Sequence, residues 1–525
     1  MSVQFDSKTN NRWAIPETWS WTVASEIAQI IGGGTPSTTD PKNFDNGGIP
    51  WITPADLTGY REKMISRGAR NITEKGLRES GARLMPAGTV LFSSRAPIGY
   101  VAIADNPVAT NQGFKSFIPS EAVTSDFLYY YLHFARPIAK EMASGTTFLE
   151  ISGAKAAQIP IPIAPLREQG EIVGVIEKQF SRLDAATAAL KRVQANLQRY
   201  RASVLKAACE GRLVPTEAEL ARKEGRDYEP ADKLLQRILR ERRARWEADT
   251  LAKMRAQGKS PKDHHWKQKY KEPSTPNTSN LAPLPEGWCW ANLEQLTSLI
   301  TSGSRGWGDS YAEVGPLFVR AQDIKTDSLK LVSVARVELP SDSEGTRTRI
   351  YQHDLLVTIT GANVTKAARV TLEIEEAYVS QHVGLVRPVL SEVAAYLYSW
   401  IINPSQGRRE LLRLAYGAGK PGLNLENLRT LIVALPPSEE QKRLESEIDR
   451  LLSTAIAVEP SVQQQVKKAT QTRRGILQYA FTGQLVPQDP TEEPASVMLN
   501  RIRAERSAAA TQRLARRNQK EGAHA

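Results

Sequence analysis

The stretch GGGTP, residues 32–36, is the segment of this sequence that comes nearest to a phosphate-binding loop. A loop of the G-x-x-x-x-G-K-[ST] type needs a lysine that reaches the phosphates and a Ser or Thr that opens the following helix. The stretch has neither, and this pattern does not occur elsewhere in the sequence. We therefore predict a tight turn or an exposed binding loop at residues 32–36, and no ATP-driven activity in this chain.

Other residue patterns that would indicate catalysis or metal binding are also missing from the sequence. Its one Pro-Pro pair, Pro436-Pro437, opens a predicted helix and is not part of the Asn-Pro-Pro-aromatic motif of amino-methyltransferases. The carboxylates of EIEEAY, residues 373–378, lack the nearby lysine pattern of a metal nuclease. His264 and His265 lie in a Lys- and Pro-rich segment where solvated side chains are expected, and the two cysteines have no zinc-ligand spacing. The sequence thus predicts no catalytic residue, no metal and no cofactor in this chain.

The charge of the chain favours a polyanionic partner. The formal net charge is +12, and each Lys or Arg placed on a phosphate releases condensed counterions. Between Arg237 and Lys271 there are twelve Lys or Arg against four Asp or Glu, which fits either a solvated connector or direct contact with a polyanion. No apolar run reaches the roughly 20 residues of a membrane span. With no signal-peptide core and two cysteines, we expect a cytoplasmic protein without a membrane partner.

Three sequence blocks occur twice, in the same order, which indicates a duplicated module. The pairs are IPETWSW from Ile15 with LPEGWCW from Leu284, PLREQGEI from Pro165 with PSEEQKRL from Pro437, and EPADKLLQRILRER from Glu229 with EPASVMLNRIRAER from Glu493. The second pair continues without a gap, at a constant offset of 272 residues, as far as GRLVP and GQLVP. Gly211 and Gly483 in these phrases are typical of residues that end a helix.

Both copies of the second block carry a heptad pattern that predicts a coiled coil. The residues that recur every seven positions are Ile176, Leu183, Leu190, Leu197 and Val204 in the first copy, and Ile448, Ala455, Val462, Ala469 and Ile476 in the second. Ile172, Ala186, Val193 and Tyr200 add a second apolar series in the first copy. Pro460 is expected to kink or restart the second helix. Equal length and register favour pairing of the two helices over two separate surface helices.

The stretches before each long helix predict α/β domains. GTVLFSSRAPIGYVAIAD from Gly88 and HDLLVTITGANVTKAARVTLE from His353 alternate like short strands of a twisted sheet. DFLYYYLHFARPIAKEMAS from Asp126 and EVAAYLYSWIINPSQGRRELLR from Glu392 have helical patterns. Two such domains joined by two equal helices predict a pseudo-two-fold α/β arrangement. On a basic protein, this arrangement suits two half-sites on one DNA duplex, and diverged domains imply an asymmetric, interrupted target.

The sequence resembles the specificity subunits of type I restriction-modification systems over roughly residues 12–490. The motifs that carry the resemblance are GGGTPST from Gly32, IPWITPADL from Ile49, LFSSRAPIGY from Leu91, ATNQGF from Ala109, IPIPIAPLREQGEI from Ile159, FVRAQDI from Phe318, VSQHVGLVRP from Val379, GKPGLNLENL from Gly419 and LPPSEEQ from Leu435. The chain departs from the simplest family pattern in its long connector, residues 216–283, where we expect a docked helix followed by a flexible basic linker.

The resemblance implies a domain order and a set of partners. The implied segments are a first target recognition domain at 1–164, a spacer helix at 165–212, a helical and basic linker at 213–283, a second target recognition domain at 284–436, a second spacer helix at 437–484 and a basic C-terminal tail at 485–525. The two spacer helices would form an antiparallel coiled coil that docks two methyltransferase subunits, which restriction subunits join. S-adenosylmethionine, ATP and Mg²⁺ are then expected in the partner subunits, and double-stranded DNA is the partner of this chain.

Polar residues of the two sheet domains are the candidates for reading DNA, because Arg pairs with guanine edges and Asn or Gln with adenine edges. In the first domain they are Thr35, Ser37, Arg95, Asn111, Gln112 and Lys115, and in the second they are Arg305, Arg320, Gln322, Asn363, Lys366, Gln381, His382 and Lys420. Gln112 and Gln381 form a matched pair at an offset of 269 residues. A core or loop-packing role is expected for Trp51 and Trp307. The alternative to DNA recognition is a coiled-coil adaptor whose sheet domains bind protein partners.

Overall fold

The structure is a computed structural model that describes residues 13–45, 47–145, 149–261, 263–303, 306–338, 347–417 and 419–522. Its residues form two compact units, the first drawn from 1–191 and 463–525 and the second from 192–462. Each unit therefore contains one sheet domain together with parts of both long helices. Residues 1–164 are called the first sheet domain below, and residues 284–436 the second.

The first sheet domain consists of short strands in three sheets. The five-stranded sheet has the order Ala28–Gly32, Lys115–Pro119, Val90–Phe92, Val101–Ala104 and Met64–Ile65; the four-stranded sheet has the order Phe44–Asp45, Arg70–Ile72, Ile49–Ile52 and Ala109–Thr110; and Ser20–Val23 pairs with Pro160–Ile163. The α-helices of this domain are Ala24–Ile27, Glu74–Arg78, Ser125–Phe134, Arg136–Met142 and Gly153–Ala157, and the 3-10 helices are Pro41–Asn43 and Pro54–Leu57.

In the described parts of residues 284–436, the second sheet domain has the same kinds of sheet, with fewer strands than those described in the first. One sheet has the order Thr297–Ser302, Val383–Pro388, Leu355–Thr358 and Ala367–Arg369; another has the order Ala335–Val337, Tyr311–Val319 and Ala377–Val379; and Cys289–Asn292 pairs with Ile432–Leu435. Its α-helices are Leu293–Leu296, Ala394–Ile402, Gly407–Leu414 and Leu425–Arg429, and its 3-10 helices include Trp307–Ser310, Ala321–Asp323 and Ser391–Val393.

The strands and helices predicted from alternation and periodicity are confirmed. Val90–Phe92 pairs antiparallel with Val101–Ala104, and Leu355–Thr358 pairs antiparallel with Ala367–Arg369. The helical pattern from Asp126 forms two helices because Pro137 follows the first one closely and occupies an early position of the second, where a missing N–H costs nothing. Each sheet domain is thus α/β, as the sequence predicts.

The two long helices are Leu166–Cys209 and Ser438–Phe481. In the first unit, Asp184 forms an ion pair with Arg473, whose guanidinium lies 4.2 Å from the centre of the Phe180 ring. Ile176, earlier in the first helix, shares a core with Leu477, later in the second. The helices therefore run in opposite directions where they pack in this unit, and the predicted antiparallel pairing is confirmed there.

The two long helices also run antiparallel where they pack inside the second unit. Val204 and Leu205, near the end of the first long helix, share a core with Leu444, Ile448 and Leu452, near the start of the second. The heptad series that begins at Ile176 is buried or half-buried throughout, as are Ile448, Ala455, Val462 and Ile476. The main heptad seam is therefore the packed face of both helices.

One prediction about the long helices is wrong, and one of the two outcomes predicted at Pro460 is excluded. Ala186, Val193 and Tyr200 are exposed, so the second apolar series does not pack along its whole length. The second long helix is continuous through Pro460 and does not restart there. Proline removes one backbone hydrogen bond from a helix, but the buried side chains of Leu452 and Val462 hold the helix on both sides of it.

The third repeated block forms a docked helix in each unit. The linker between residues 213 and 283 contains the helices Glu217–Glu224 and Ala231–Ala256 and the 3-10 helix His265–Lys269, and the C-terminal segment forms the helix Ala495–Gly522. Ala231, Leu234 and Ile238 are buried in the core of the second unit, and their counterparts Ala495 and Met498 are buried in the core of the first. The C-terminal segment is therefore a packed helix at its start and not a simple tail.

Part of the linker that was expected to be flexible is held in place by aromatic packing. Trp266 is buried and stacks on Trp246 with ring centres 6.0 Å apart, and Tyr270 lies 5.2 Å from the same Trp246 ring. His264 and His265 are exposed, as predicted. The segment after the linker helix thus folds back onto that helix.

The repeated opening phrase and the repeated Glu-Gln form an anchor at the start of each long helix. The indole Nε1 of Trp19 donates to Glu168 Oε1 at 3.0 Å, and the indole Nε1 of Trp288 donates to Glu440 Oε1 at 3.1 Å. The next residue in each copy, Gln169 or Gln441, donates its amide to a backbone carbonyl just before the helix. These buried bonds explain why two short phrases more than 140 residues apart are duplicated together.

Burial of these anchor carboxyls changes their acidity. Burial raises the pKa of Glu168, and it raises the pKa of Glu440 to about 7, against the hydrogen bonds that the two carboxyls accept. In the second unit, the backbone N–H of Glu217 also donates to Glu440, while the buried Glu217 carboxylate pairs with Arg226 and Arg443. The second anchor is therefore part of a larger buried polar cluster.

Candidate nucleic-acid interface

The candidate residues of the first sheet domain are positioned where two loops pack closely against each other. Asn111 and Gln112 follow the strand Ala109–Thr110, which runs parallel to Ile49–Ile52. The GGGTP loop passes directly against this turn: a Cβ on Gly33 would lie 2.0 Å from the carbonyl oxygen of Asn111. Glycine is therefore required for close packing of two backbones, and the predicted tight turn has a physical reason.

Four of the predicted residues of the first sheet domain meet in one polar network. Thr35 Oγ1 donates to Gln112 Oε1, and Lys115 Nζ donates to the backbone carbonyl of Gln112 at 3.3 Å. Lys115 and Arg95 both pair with Glu150, at 3.5 and 3.6 Å. We name Thr35, Arg95, Gln112, Lys115 and Glu150 the first-domain network; its members are partly or fully exposed.

The two remaining predicted residues of this domain have local roles. Asn111 Oδ1 accepts a hydrogen bond from the backbone N–H of Gly113 at 2.9 Å, which shapes the turn that presents Gln112. Ser37 is exposed, and its hydroxyl bonds to that of Thr39 at 2.8 Å. Asn111 is thus a positioning residue, and Ser37 lies on the exposed part of the loop.

The second sheet domain has a cavity of about 400 Å³ at the corresponding place. Five of the predicted residues line it, namely Arg320, Gln322, Asn363, Gln381 and His382. The remaining lining residues are Gly306, Trp307, Tyr311, Phe318, Ala321, Thr360, Ala362 and Ser380. The structure therefore brings most of the second predicted set together, around a concave surface.

The lining side chains of the cavity are held by short-range bonds. The Arg320 guanidinium pairs with Asp323 at 3.3 Å. Burial alone would lower the pKa of Arg320, but the Asp323 carboxylate contributes to a net rise, so the side chain stays charged. Asn363 Nδ2 donates to the carbonyl of Ala321 at 3.3 Å, which leaves its Oδ1 to face other partners. Both side chains are thus oriented before any ligand binds.

The other predicted residues of the second sheet domain do not line this cavity. Lys366 Nζ pairs with the buried Asp327 at 3.6 Å, where Arg408 also binds, so its charge is partly neutralised within the fold. Lys420 is exposed on a separate loop. Arg305 lies outside the described residues.

The two sheet domains share their backbone scaffold at these sites. Three backbone N–H to carbonyl hydrogen bonds of the first domain have an equivalent in the second. In the first domain they run from Asn111 to Ile52, from Ser94 to Gly113 and from Ile151 to Ser94. Their equivalents in the second domain run, in the same order, from Ser380 to Val319, from Ile359 to His382 and from Leu423 to Ile359. The matched pair Gln112 and Gln381 therefore stands at one position of a common framework. This structural match supports the residue alignment that the sequence alone indicates.

A model of the type I restriction modification DNA specificity domain matches residues 16–198 and 346–468, which is more than half of the chain. This chain belongs to that family. A relative, the MjaIX specificity subunit of Methanocaldococcus jannaschii, is 45% identical over 164 residues, which are 31% of this chain and 38% of that protein. The EcoBI specificity subunit of Escherichia coli is 22% identical over 98% of this chain and 97% of its own length.

A solved structure described as explaining complex assembly and conformational transition of the type I R-M system has a similar fold. It covers 90% of this chain with a TM-score of 0.53 and 16% sequence identity. Among the described residues, no helix is long and apolar enough to cross a membrane, and no group of His, Cys, Asp and Glu is placed to hold a metal ion.

The structure also adds residues to both surfaces that no sequence pattern indicates. Glu150 joins the first-domain network through backbone pairing with Arg95, a contact between residues 55 positions apart that no local pattern indicates. Tyr311 and Phe318 also line the cavity and are not among the residues predicted from the sequence. Trp51 and Trp307 are 2% and 7% exposed and pack against neighbouring aromatic rings, and Trp307 also lines the cavity.

Proposed function

We propose that this specificity-family chain is the DNA-reading subunit of a type I restriction-modification complex, in which each sheet domain reads one part of an interrupted, asymmetric DNA site. The observation that carries the proposal is the pair of equivalent turns at Gln112 and Gln381. They stand on the same backbone scaffold but have different neighbours. A common scaffold with different polar side chains is what two related readers of two different base sequences require.

The two surfaces have the chemistry for this role. The first-domain network combines a guanidinium, an ammonium and an amide, which can contact phosphates and base edges. The cavity of the second sheet domain has a guanidinium and several amides along its wall. The net charge of +12 adds an attraction to DNA that is independent of sequence.

We propose further that the chain itself does no chemistry and assembles with two methyltransferase subunits and with restriction subunits. In this assembly the partners would hold S-adenosylmethionine, ATP and Mg²⁺ and would methylate adenine or cut the DNA. The exposed apolar side chains of Val193 and Tyr200, 41% and 43% exposed on one row of the first long helix, support a docking role for that helix. Apolar side chains in a row on an exposed face are typical of a protein interface.

The test of this function is a map of methylated adenines across the genome of the host, with and without the gene for this chain. We expect one interrupted and asymmetric motif to lose its methylation when the gene is deleted and to regain it on complementation. A complementing gene with Gln112→Ala should alter the methylation of one half of the motif, and one with Gln381→Ala the other half. An unchanged methylation map after deletion, in a host whose methyltransferase subunits are expressed, would contradict the proposal.

A further inference from the structure

The cavity of the second sheet domain has an unusual combination of walls. Trp307 and Phe318 stack with ring centres 5.1 Å apart and an interplanar angle of 27°, and Tyr311 beside them is 50% exposed. The cavity also has polar lining residues, among them Gln322 and Gln381, which supply amide, guanidinium and imidazole groups. Trp307 and Phe318 are themselves only 7% and 3% exposed, so the cavity offers the aromatic surface of Tyr311, backed by this stacked pair, beside its hydrogen-bonding groups.

One buried polar atom also points to a missing ligand. Ser380 is 3% exposed and lines the cavity, yet its hydroxyl has no hydrogen-bond partner among the described residues. Buried hydroxyls are normally paired, because leaving one without a partner costs free energy. A ligand group that enters the cavity, with a small movement of the serine rotamer, would provide the missing partner.

The size and shape of the cavity restrict what part of DNA can fill it. The edges of stacked base pairs form the floor of a groove and cannot enter a recess of about 400 Å³ in a protein surface. A base enters such a recess only after it has left the stack. Aromatic side chains then stack on its face while amides and Arg bond to its edge.

We propose, on the basis of the DNA-reading function above, that this cavity receives one nucleobase that has been extruded from the second half-site. The base lies against the Tyr311 side of the aromatic wall, and its edge is read by Gln381 and Arg320. The residues are placed for this role by the strand pair Tyr311–Val319 and Ala377–Val379, which brings Phe318 and Ser380 to the same end of one sheet.

The first sheet domain is not built for the same role. At the position of Phe318 it has Trp51, which is as buried as Phe318 (2% and 3% exposed) but donates its indole N–H to the carbonyl of Gly34 at 3.0 Å, so that the GGGTP loop is held against this ring. At the position of His382 it has Gly113, where a Cβ would lie 2.8 Å from Cγ of Pro54. The corresponding space is closely packed, so extrusion is expected in one half-site and not in the other.

The test uses the complex of this chain with its methyltransferase subunits, without S-adenosylmethionine, and duplexes that carry the methylated motif. The fluorescent base 2-aminopurine is placed in turn at each purine position of both half-sites, because it brightens when it or its neighbour leaves the stack. We expect one position in the second half-site, away from the methylated adenines, to brighten several-fold on binding. Tyr311→Ala and Gln381→Ala should each remove this signal, and the control variant Gln352→Ala, which truncates an exposed glutamine of the same domain that does not line the cavity, should keep it.

A second measurement separates extrusion from simple contact. Unpairing is least costly at a mismatch, so a mismatch at the bright position should tighten binding by the unsubstituted complex about tenfold and binding by the Gln381→Ala complex much less. Brightening at the methylated adenines alone, or brightening that both variants retain, would overturn the proposal while the complex still binds its motif. Failure of the unsubstituted complex to bind the motif would instead refute the DNA-reading function and this inference with it.

Discussion

In the first sheet domain, Arg95, Lys115 and Glu150 meet in a charged network; in the second, the corresponding positions hold Thr360, Gly384 and Gly422. The backbone pairing is the same at these places. The first domain therefore presents two cations that share one carboxylate at the surface, and the second presents a recess. The comparison teaches that duplication preserved the framework of hydrogen bonds and the matched Gln112 and Gln381, while the side chains around this pair diverged.

The anchors show the opposite behaviour. Trp19 with Glu168 and Trp288 with Glu440 keep the same bond between the same atoms. A buried carboxylate is costly unless a donor satisfies it, so each partner of such a pair constrains the other. The residues that attach each sheet domain to its long helix therefore changed little, whereas residues on the proposed DNA-binding surfaces were free to change.

The largest effect is expected from exchanging a whole reading surface. Replacing residues 28–119 of the first sheet domain with the corresponding segment of another specificity-family member should change one half of the methylated motif completely. The other half should be unaltered, because the second domain retains its own scaffold and side chains. Methylation mapping of the host measures both halves at once. A change in both halves would show that the two domains do not read independently.

A change in the long helices, which both sheet domains share, should instead affect both halves of the motif equally. Val193→Glu with Tyr200→Glu adds two charges to the exposed apolar row of the first long helix, and burying a charge in an interface is costly. We expect affinity for the methyltransferase subunits to fall by about tenfold or more, with methylation reduced at the whole motif. Pull-down titration measures the affinity. Gln198→Glu, on an exposed position of the same helix, is the matched control and should bind normally.

The fold was predictable where a pattern is local or repeated. Heptads and alternation predicted the long helices and the strands near Val90 and Leu355, and the repeated phrases predicted the paired frame. The exposure of Val193 and Tyr200 was not predictable, because an apolar heptad does not tell whether its partner is in the same chain. Glu150 and the cavity depend on backbone pairing between distant segments, which side-chain identity alone does not encode.

The two anchors should differ in their response to pH. The pKa of Glu440 is raised from 4.5 to about 7 by burial, so the folded chain keeps this proton while the unfolded chain loses it. The resulting stabilisation is full below about pH 4.5 and is lost as the pH rises to about 7. From pH 5 to pH 8, Glu440→Gln should therefore gain stability relative to the unsubstituted chain, by at most about 3 kcal/mol. Thermal midpoints of both proteins across this range measure the change.

Glu168→Gln provides the comparison between the anchors. Burial raises the pKa of Glu168 as well, against hydrogen bonds from Trp19 and Gln488, but its side chain is slightly exposed (3%, against 0% for Glu440), so burial acts on it less strongly. We expect the same direction with a smaller amplitude. Equal responses of the two variants would mean that the polar cluster around Glu217 does not distinguish the second anchor from the first.

The smallest effect concerns the charges of the first-domain network. Glu150 holds Arg95 and Lys115 at 3.6 and 3.5 Å, so Glu150→Gln leaves two cations without their carboxylate. We expect tighter binding to DNA of any sequence and a steeper dependence of log K on log salt, by about one for each cation that reaches a phosphate. Fluorescence anisotropy at several salt concentrations measures the slope. The discrimination between the correct and an altered first half-site should decrease, because freed cations add attraction that is indifferent to sequence.

The matched control for this prediction is Glu426→Gln in the second sheet domain. Glu426 is an exposed carboxylate that pairs with Arg429 at 3.4 Å and is not part of the cavity. The two variants remove the same charge, so a general electrostatic effect would steepen the salt dependence equally in both. A larger change for Glu150→Gln, together with lost discrimination at the first half-site alone, would place the first-domain network against DNA. Equal salt slopes for Glu150→Gln and Glu426→Gln would mean that the charges of the first-domain network only stabilise the loops of the surface. Thr35 and Gln112 would then remain as the DNA-reading groups of that domain.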